Sequence, residues 1–279
     1  MRFVYCGYDF AIDTLMALLN QGHELAGILT FPCDNIFSHN TRLHAIAQEL
    51  SVPITQDKPD RQMIDDYIAG GVDLFLCVGY AHKMPDIDAK QAYGVNVHPA
   101  LLPQARGLMP LPHVMINAPE ACGITVHKLS AKMDGGDIIA RYPMTLSDKD
   151  TVETLGARMA MRLPELLGDI IADLPAKWAQ ARAQDEALAF ECPHPDDAMR
   201  MIDWGQTVAH TLRQVRAFGR VGLLFHLDGK LWVTGTVHGW DEAHGRQAGD
   251  VCLLTPQEIV IAVRDGYLHI MDAQQIQHN

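Results

Sequence analysis

Asn96 and His98 stand two apart in Gly94-Val95-Asn96-Val97-His98-Pro99, so on an extended strand end their side chains point the same way. Leu101-Leu102-Pro103 and Arg106-Gly107 follow, and Met133-Asp134-Gly135-Gly136-Asp137 comes later. An Asp-Gly-Gly turn can carry a carboxylate back towards such a strand end. Together the segments offer an amide, an imidazole and an acid. Acyl transfer to an amine asks for those groups: one stabilises the oxyanion, one moves the proton, and one tunes the proton mover. Each residue also has a plainer reading. Asn96 and His98 read as a buried amide and a core histidine, Asp134 as a turn former, Asp137 as a loop cap, and Arg106 as half of a surface ion pair. His82, His113 and His127 read singly as structural, and no spacing among the fourteen histidines suggests metal ligands.

The elements that must position these residues follow from periodicity. Residues 3–6, 23–30, 52–54, 74–78 and 94–98 read as strands, and residues 12–20, 42–50 and 62–69 as helices between them. Apolar strands alternating with amphipathic helices predict a Rossmann-like α/β fold, a parallel sheet with helices on both faces. Ligands in such sheets sit outside the carboxyl ends of the strands, where Asn96 and His98 fall. The first turn, Gly7-Tyr8-Asp9-Phe10, lacks the Gly-x-Gly-x-x-Gly dinucleotide fingerprint, and no Gly-Lys-Ser/Thr phosphate loop occurs. A charged Ala/Gln/Arg stretch running into Cys192-Pro193-His194-Pro195 reads as a linker. Beyond it, a helix over 207–218 and strands at 223–227, 230–234, 251–254, 259–263 and 267–270 predict a small OB-like β-barrel. The expected organisation is a first domain at 1–180, a linker at 181–199 and a second domain at 200–279.

Composition bounds the partners. The 279 residues suffice for two cores, and a 48% hydrophobic, 20% charged makeup argues against disorder. A net charge of −12 sets the chain's overall field against a nucleic acid, although a local basic groove would remain compatible with it. Six scattered cysteines without a Cys-x-x-Cys fit reduced thiols and neither a zinc site nor a disulfide framework. The N-terminus enters a strand directly and no apolar run is long enough to span a membrane, so a cytoplasmic protein is expected. A homodimer is left open.

The order and gaps of Asn96-x-His98, Leu101-Leu102-Pro103-x-x-Arg106-Gly107 and Asp134-Gly135-Gly136 resemble the folate-dependent formyltransferases. Ile202-Asp203-Trp204, Arg216-Ala217-Phe218 and Gly249-Asp250-Val251 are similar to the C-terminal barrel of the tRNA and amino-sugar branches of that family. One departure is Ala100, where the family commonly carries serine, so no role for that hydroxyl transfers. The resemblance implies 10-formyltetrahydrofolate as co-substrate, no metal, and catalysis by Asn96, His98 and Asp134. It implies a pteridine cradle in the Tyr80-to-Met84 loop, with Tyr80, His82, Met84, Leu102, Gly135, Gly136 and Asp137 on the cofactor side. Tyr8, Arg106 and Gly107 fall on the acceptor side. The tRNA enzymes resembled here carry an extra basic loop after the second strand. The matching stretch at 31–40 is short and has no Lys or Arg. The expectation is therefore transfer to a primary amine of a small molecule: a nucleotide-linked amino sugar, or an amino-acid or hydroxyornithine-type amine. The alternatives are a methionyl-tRNA formyltransferase and a non-catalytic folate-binding protein on the same fold.

Overall fold

The computed structural model describes residues 1–35 and 38–276; Ile36 and Phe37 of the 31–40 stretch lie outside them. Two compact units emerge. The first comprises Met1–Leu108, Ala121–Thr145 and Gly156–Glu191, and the second Met109–Glu120, Leu146–Leu155 and Cys192–Asn279.

In the first unit the chain alternates β1 (Arg2–Gly7), α1 (Ile12–Asn20), β2 (Glu24–Leu29), α2 (Thr41–Leu50), β3 (Ile54–Thr55), α3 (Arg61–Ala69), β4 (Leu74–Val78) and β5 (Tyr93–His98). The five strands are parallel neighbours in the order β3-β2-β1-β4-β5. Phe3 to Cys6 and Leu74 to Val78 are buried throughout, as strands covered on both faces must be. Helix α3 starts where the Asp60 side chain accepts the Met63 N–H at 2.8 Å. The order places β1 beside β4 while the chain runs from β1 away through β2 and β3, so the loops after β1 and β4 flank the reversal point at which sheets of this kind form their ligand crevice.

Later in the chain come α4 (Pro110–Asn117), β6 (Gly123–Lys128), β7 (Ile138–Pro143), α5 (Val152–Ala172), α6 (Leu174–Ala179) and α7 (Asp197–Arg200). Strands β6 and β7 extend the sheet beyond β5 to seven strands, and both are antiparallel to their neighbours. The alternating pattern did not foretell them. The loop between them carries Asp134.

In the second unit α8 (Val208–Phe218) lies against α4, and Thr207 caps its N-terminus by accepting the His210 N–H at 3.1 Å. The strands expected to form a barrel make two antiparallel sheets. Strands β8 (Leu223–Leu227), β9 (Lys230–Thr234) and β14 (Gln274–Gln275) form one, in the order β14-β9-β8. Strands β10 (Thr236–Asp241), β11 (Val251–Leu254), β12 (Glu258–Val263) and β13 (Gly266–Met271) form the other, in the order β10-β13-β12-β11.

Candidate active site

Asn96 lies in the last turn of side chains on β5, directly across from His127 on the antiparallel strand β6. Directly opposed residues share a face of the sheet. The His127 Nδ1 lies 2.8 Å from the Lys128 carbonyl, which can only accept, so Nδ1 carries the proton. Nε2 is then free to accept, and the Asn96 amide donates to it at 2.9 Å. The second Asn96 N–H reaches the Asp134 Oδ1 at the longer distance of 3.3 Å.

The same argument fixes His98. Its Nε2 donates to the Ala105 carbonyl at 2.7 Å, leaving Nδ1 as the atom that gains or loses a proton. That Nδ1 faces the Asp134 Oδ2 at 3.6 Å. Burial pushes the His98 imidazole below the usual histidine value; Asp134 and the Ala105 carbonyl pull it up, and neighbouring His127 pushes it down. At neutral pH the ring is therefore a neutral acceptor whose cation Asp134 is placed to stabilise.

Asp134 sits at the centre. Its backbone is left-handed, with φ 49°, and its Oδ2 accepts the Gly107 N–H at 2.9 Å. Burial alone would raise its carboxyl, but at the acid pH where it titrates the protonated rings of His127 and His98, with the Gly107 N–H, outweigh that and hold it down to about 2. It is a fixed anion across the physiological range. Gly136 follows because the chain passes against β6 there: a Cβ would collide with the Lys128 carbonyl. Asp137 is tied to β6 by its carbonyl, which accepts the Lys128 N–H, and by an ion pair to Lys128 Nζ at 3.0 Å.

Thr125, fully buried on β6, holds the loop after His98. It donates to the Ala100 carbonyl at 2.7 Å and accepts the Leu102 N–H at 2.9 Å. Ala100 and Leu102 are themselves wholly buried. Arg106 is not at the surface. It is completely enclosed, with its guanidinium bound to Gln184 and Glu186.

A second group gathers at the β1/β4 crevice. Tyr8 stacks on Phe10 with centroids 5.7 Å apart and lies 5.7 Å from Phe31. Phe31 is near Tyr80 and His82, which meet edge to face at 5.5 Å. Tyr8 also lies over Gly79, whose positive φ of 66° turns the chain out of β4. Burial raises the Tyr8 and Tyr80 hydroxyl pKa values and lowers that of His82. Met84 belongs to the packed core beneath, beside Leu29, Phe75 and Cys77.

The structure brings Asn96, His98 and Asp134 into one knot of contacts, and it sets Tyr8, expected on the acceptor side, in the same aromatic group as Tyr80 and His82, expected on the cofactor side. Sequence reasoning read His127 as structural and assigned no role to Phe31, Gln184 or Glu186. His127 stands in a Gly-Ile-Thr-Val-His-Lys run whose β-branched residues signal a strand, so its pairing with β5 was in principle readable. Gln184 and Glu186 lie in the stretch read as a linker and carry no local signal. Among the described residues no group of three His, Cys, Asp or Glu could hold a metal ion, and no helix is long and apolar enough to cross a membrane.

The profile of the family described as formyl transferase matches residues 36–171, and that of the formyl transferase C-terminal domain matches residues 196–279. Methionyl-tRNA formyltransferase of Treponema denticola is 37% identical over 234 residues, 78% of this chain and 72% of its own. Among solved structures, an N-formyltransferase from Helicobacter canadensis, in complex with folinic acid and dTDP-3-aminofucose, superposes with a TM-score of 0.70 at 16% identity, over 98% of this chain and 99% of its own. HypX from Aquifex aeolicus gives a TM-score of 0.71 at 18% identity over 99% of this chain, which spans 46% of the HypX chain. At such identities the two structures speak for the fold alone. Matched by both family profiles and by a relative of 37% identity, the chain belongs to the formyl transferase family and is an enzyme of formyl transfer.

Proposed function

We propose that this enzyme moves the formyl group of 10-formyltetrahydrofolate to a primary amine of a small molecule, a nucleotide-linked amino sugar or an amino-acid or hydroxyornithine-type amine. The observation that carries formyl transfer is the knot of Asn96, His98 and Asp134 at the carboxyl end of β5. The aromatic group supports a folate in the crevice. The Tyr80 hydroxyl is buried and has no partner among the described residues, and its ring lies 6.4 Å from that of Phe31 and 5.5 Å from that of His82. A flat heterocycle carrying polar atoms suits both features. Tyr80 and His82 would hold that ring with Met84 beneath; Leu102, Gly135, Gly136 and Asp137 shape the opposite side.

The donor supplies an activated formyl carbon on N10, so no covalent enzyme intermediate is required. The chain's own residues handle charge and protons. As the amine adds, negative charge grows on the formyl oxygen. The Asn96 N–H held at 3.3 Å by Asp134 is the weaker of its two bonds and the one free to turn to that oxygen. His98 takes the amine's proton on Nδ1, its one vacant nitrogen, with Asp134 stabilising the resulting cation. The proton then passes to N10 as the C–N bond breaks, and tetrahydrofolate leaves with the formylated amine.

The small-molecule acceptor is supported by the −12 charge and by the 31–40 stretch without Lys or Arg. A second reading, transfer to methionyl-tRNA, is favoured by the 37% identity to the Treponema denticola enzyme. The test is an acceptor screen: purified enzyme with 10-formyltetrahydrofolate and, in turn, amino sugars on nucleotide carriers, amino-acid amines and charged initiator tRNA, read by the appearance of tetrahydrofolate. Turnover with tRNA alone overturns the small-molecule reading, and turnover with none of them overturns the transfer reading.

A further inference from the structure

The segment between α6 and the second unit does more than connect. Its backbone is paired on two sides within the first unit. Arg182 and Ile138 exchange hydrogen bonds at 2.8 and 3.0 Å, and the Phe190 carbonyl accepts the Arg106 N–H at 3.0 Å. Gln184 is therefore held in register between the turn that carries Asp134 and the loop that carries Arg106. Its amide nitrogen donates to the Asp134 carbonyl at 2.6 Å and to the Gly136 carbonyl at 2.7 Å. Its amide oxygen accepts from the Arg106 Nε at 3.1 Å and from Nη2 at 2.7 Å. The enclosed guanidinium is completed by Glu186, which takes Nη1 at 3.1 Å and Nη2 at 2.8 Å and also binds Lys132 Nζ at 2.6 Å. Arg106 and Lys132 hold the Glu186 carboxyl down to about 2. Lys132 belongs to the Asp134 loop and Gly107, next to Arg106, donates to the Asp134 carboxylate. Both ends of the clamp thus close on one acid.

We infer that Gln184 is a positioning residue for the reaction, locking the Asp134 turn against the Arg106 loop so that the Asp134 carboxylate stays beside His98. Arg106, by the same geometry, serves the clamp through its guanidinium and does not reach an acceptor. The amide is suited to this: one side chain must donate to two carbonyls and accept from a guanidinium, which a carboxylate or an ammonium cannot do. A left-handed non-glycine turn persists when its surroundings over-determine it, and here two of its carbonyls are held by one group.

The inference rests on the formyl-transfer reading for its consequence in catalysis, but its test needs no formyl donor. The imidazole of His98 is titrated by NMR in the full chain, in the native protein, in Gln184→Met and in Asp134→Asn. The charged and titratable groups acting on that ring are Asp134 and His127. Loss of the clamp lets the carboxylate drift from Nδ1, so His98 in Gln184→Met titrates lower by roughly 0.5 pH unit or more. In the Asp134→Asn background the same substitution produces no further fall. Should Gln184→Met not fold, Arg106→Met with Gln184→Met removes both partners together and leaves no buried charge unpaired. Losing the positive charge would raise the His98 value, so a fall still reports displacement of Asp134. A folded variant with an unmoved His98, or an equal fall in both backgrounds, overturns the inference. A missing transfer activity with the predicted titration would instead count against the formyl-transfer reading.

Discussion

At the scale of residues, the knot around Asp134 assigns different work to three groups that share it. If Asn96, His98 and Asp134 act on charge and protons, substituting any of them with alanine lowers turnover about a hundred-fold or more while folate affinity survives, because none is in the aromatic group. Folate titration and single-turnover rates on the three variants measure this; near-native turnover in a folded Asp134→Ala protein would reduce that residue to a turn former. The pH dependence has a definite sign. Burial sets the His98 value below the usual histidine value of about 6.5. The ionisation seen in the kcat profile is therefore expected below that point, and lower again in Asp134→Asn, which loses the anion that favours the cation. A rise in that variant would show that Asp134 is not what acts on His98. Stability follows the same sign. With the folded values of His98 and Asp134 both depressed, the unfolded chain protonates first. The stability these groups confer is complete above about pH 6.5. His98's share goes as pH falls below that, and Asp134's as it falls from 3.8 towards about 2. Urea midpoints at pH 7.5 and 5 should therefore fall with acid, and less so in a His98→Gln protein. The motif residues could be read from the sequence because their types and spacing are local. Gln184 could not, because its partners are Arg106, Asp134 and Gly136, far along the chain, and an isolated Gln in a polar stretch looks like solvent-facing chain.

At the scale of elements, the parallel half of the sheet was readable because each buried strand is a continuous apolar run and each helix between repeats its apolar face. Residues 12–20 and 74–78 coincide with α1 and β4. Strand β7, Ile138–Pro143, escaped because it mixes Arg141 and Pro143 into a half-exposed edge, and β10 because Gly239 interrupts it; β6, also missed, carries a readable β-branched run. Those omissions matter for the site. Without β6 there is no His127 to hold Asn96, no anchor for the loop after His98 and no wall for the Asp134 turn. The close pass of Gly136 against the Lys128 carbonyl gives a direct test of that wall. Gly136→Ala is expected to cost about 1–3 kcal/mol in urea unfolding, as overpacking does. It should also lower turnover by about a hundred-fold, because the displaced turn carries Asp134 with it. A Gly136→Ala protein of native stability and native turnover would mean that the turn tolerates displacement and that Asp134 need not be held to the geometry seen.

At the scale of the whole molecule, the family and its fold were legible from three ordered motifs, while no local motif names the acceptor. The second unit's strands form two antiparallel sheets, and residues 196–279 match the C-terminal profile of the family, which does not by itself distinguish the acceptors. What separates the readings is electrostatic. A protein that grips a polyanion displaces its condensed counterions with Lys and Arg, and each phosphate neutralised adds nearly one unit to the salt slope. This chain has 22 Lys and Arg against 34 Asp and Glu, and its 31–40 stretch contributes none of the basic residues. The protein is therefore expected to bind charged initiator tRNA weakly at physiological salt, with a shallow dependence on ionic strength. Filter binding or mobility shift at two salt concentrations measures it on the full chain. Micromolar or tighter binding that collapses steeply as salt is raised would reveal a local basic groove acting against the overall field and would make methionyl-tRNA the acceptor to pursue.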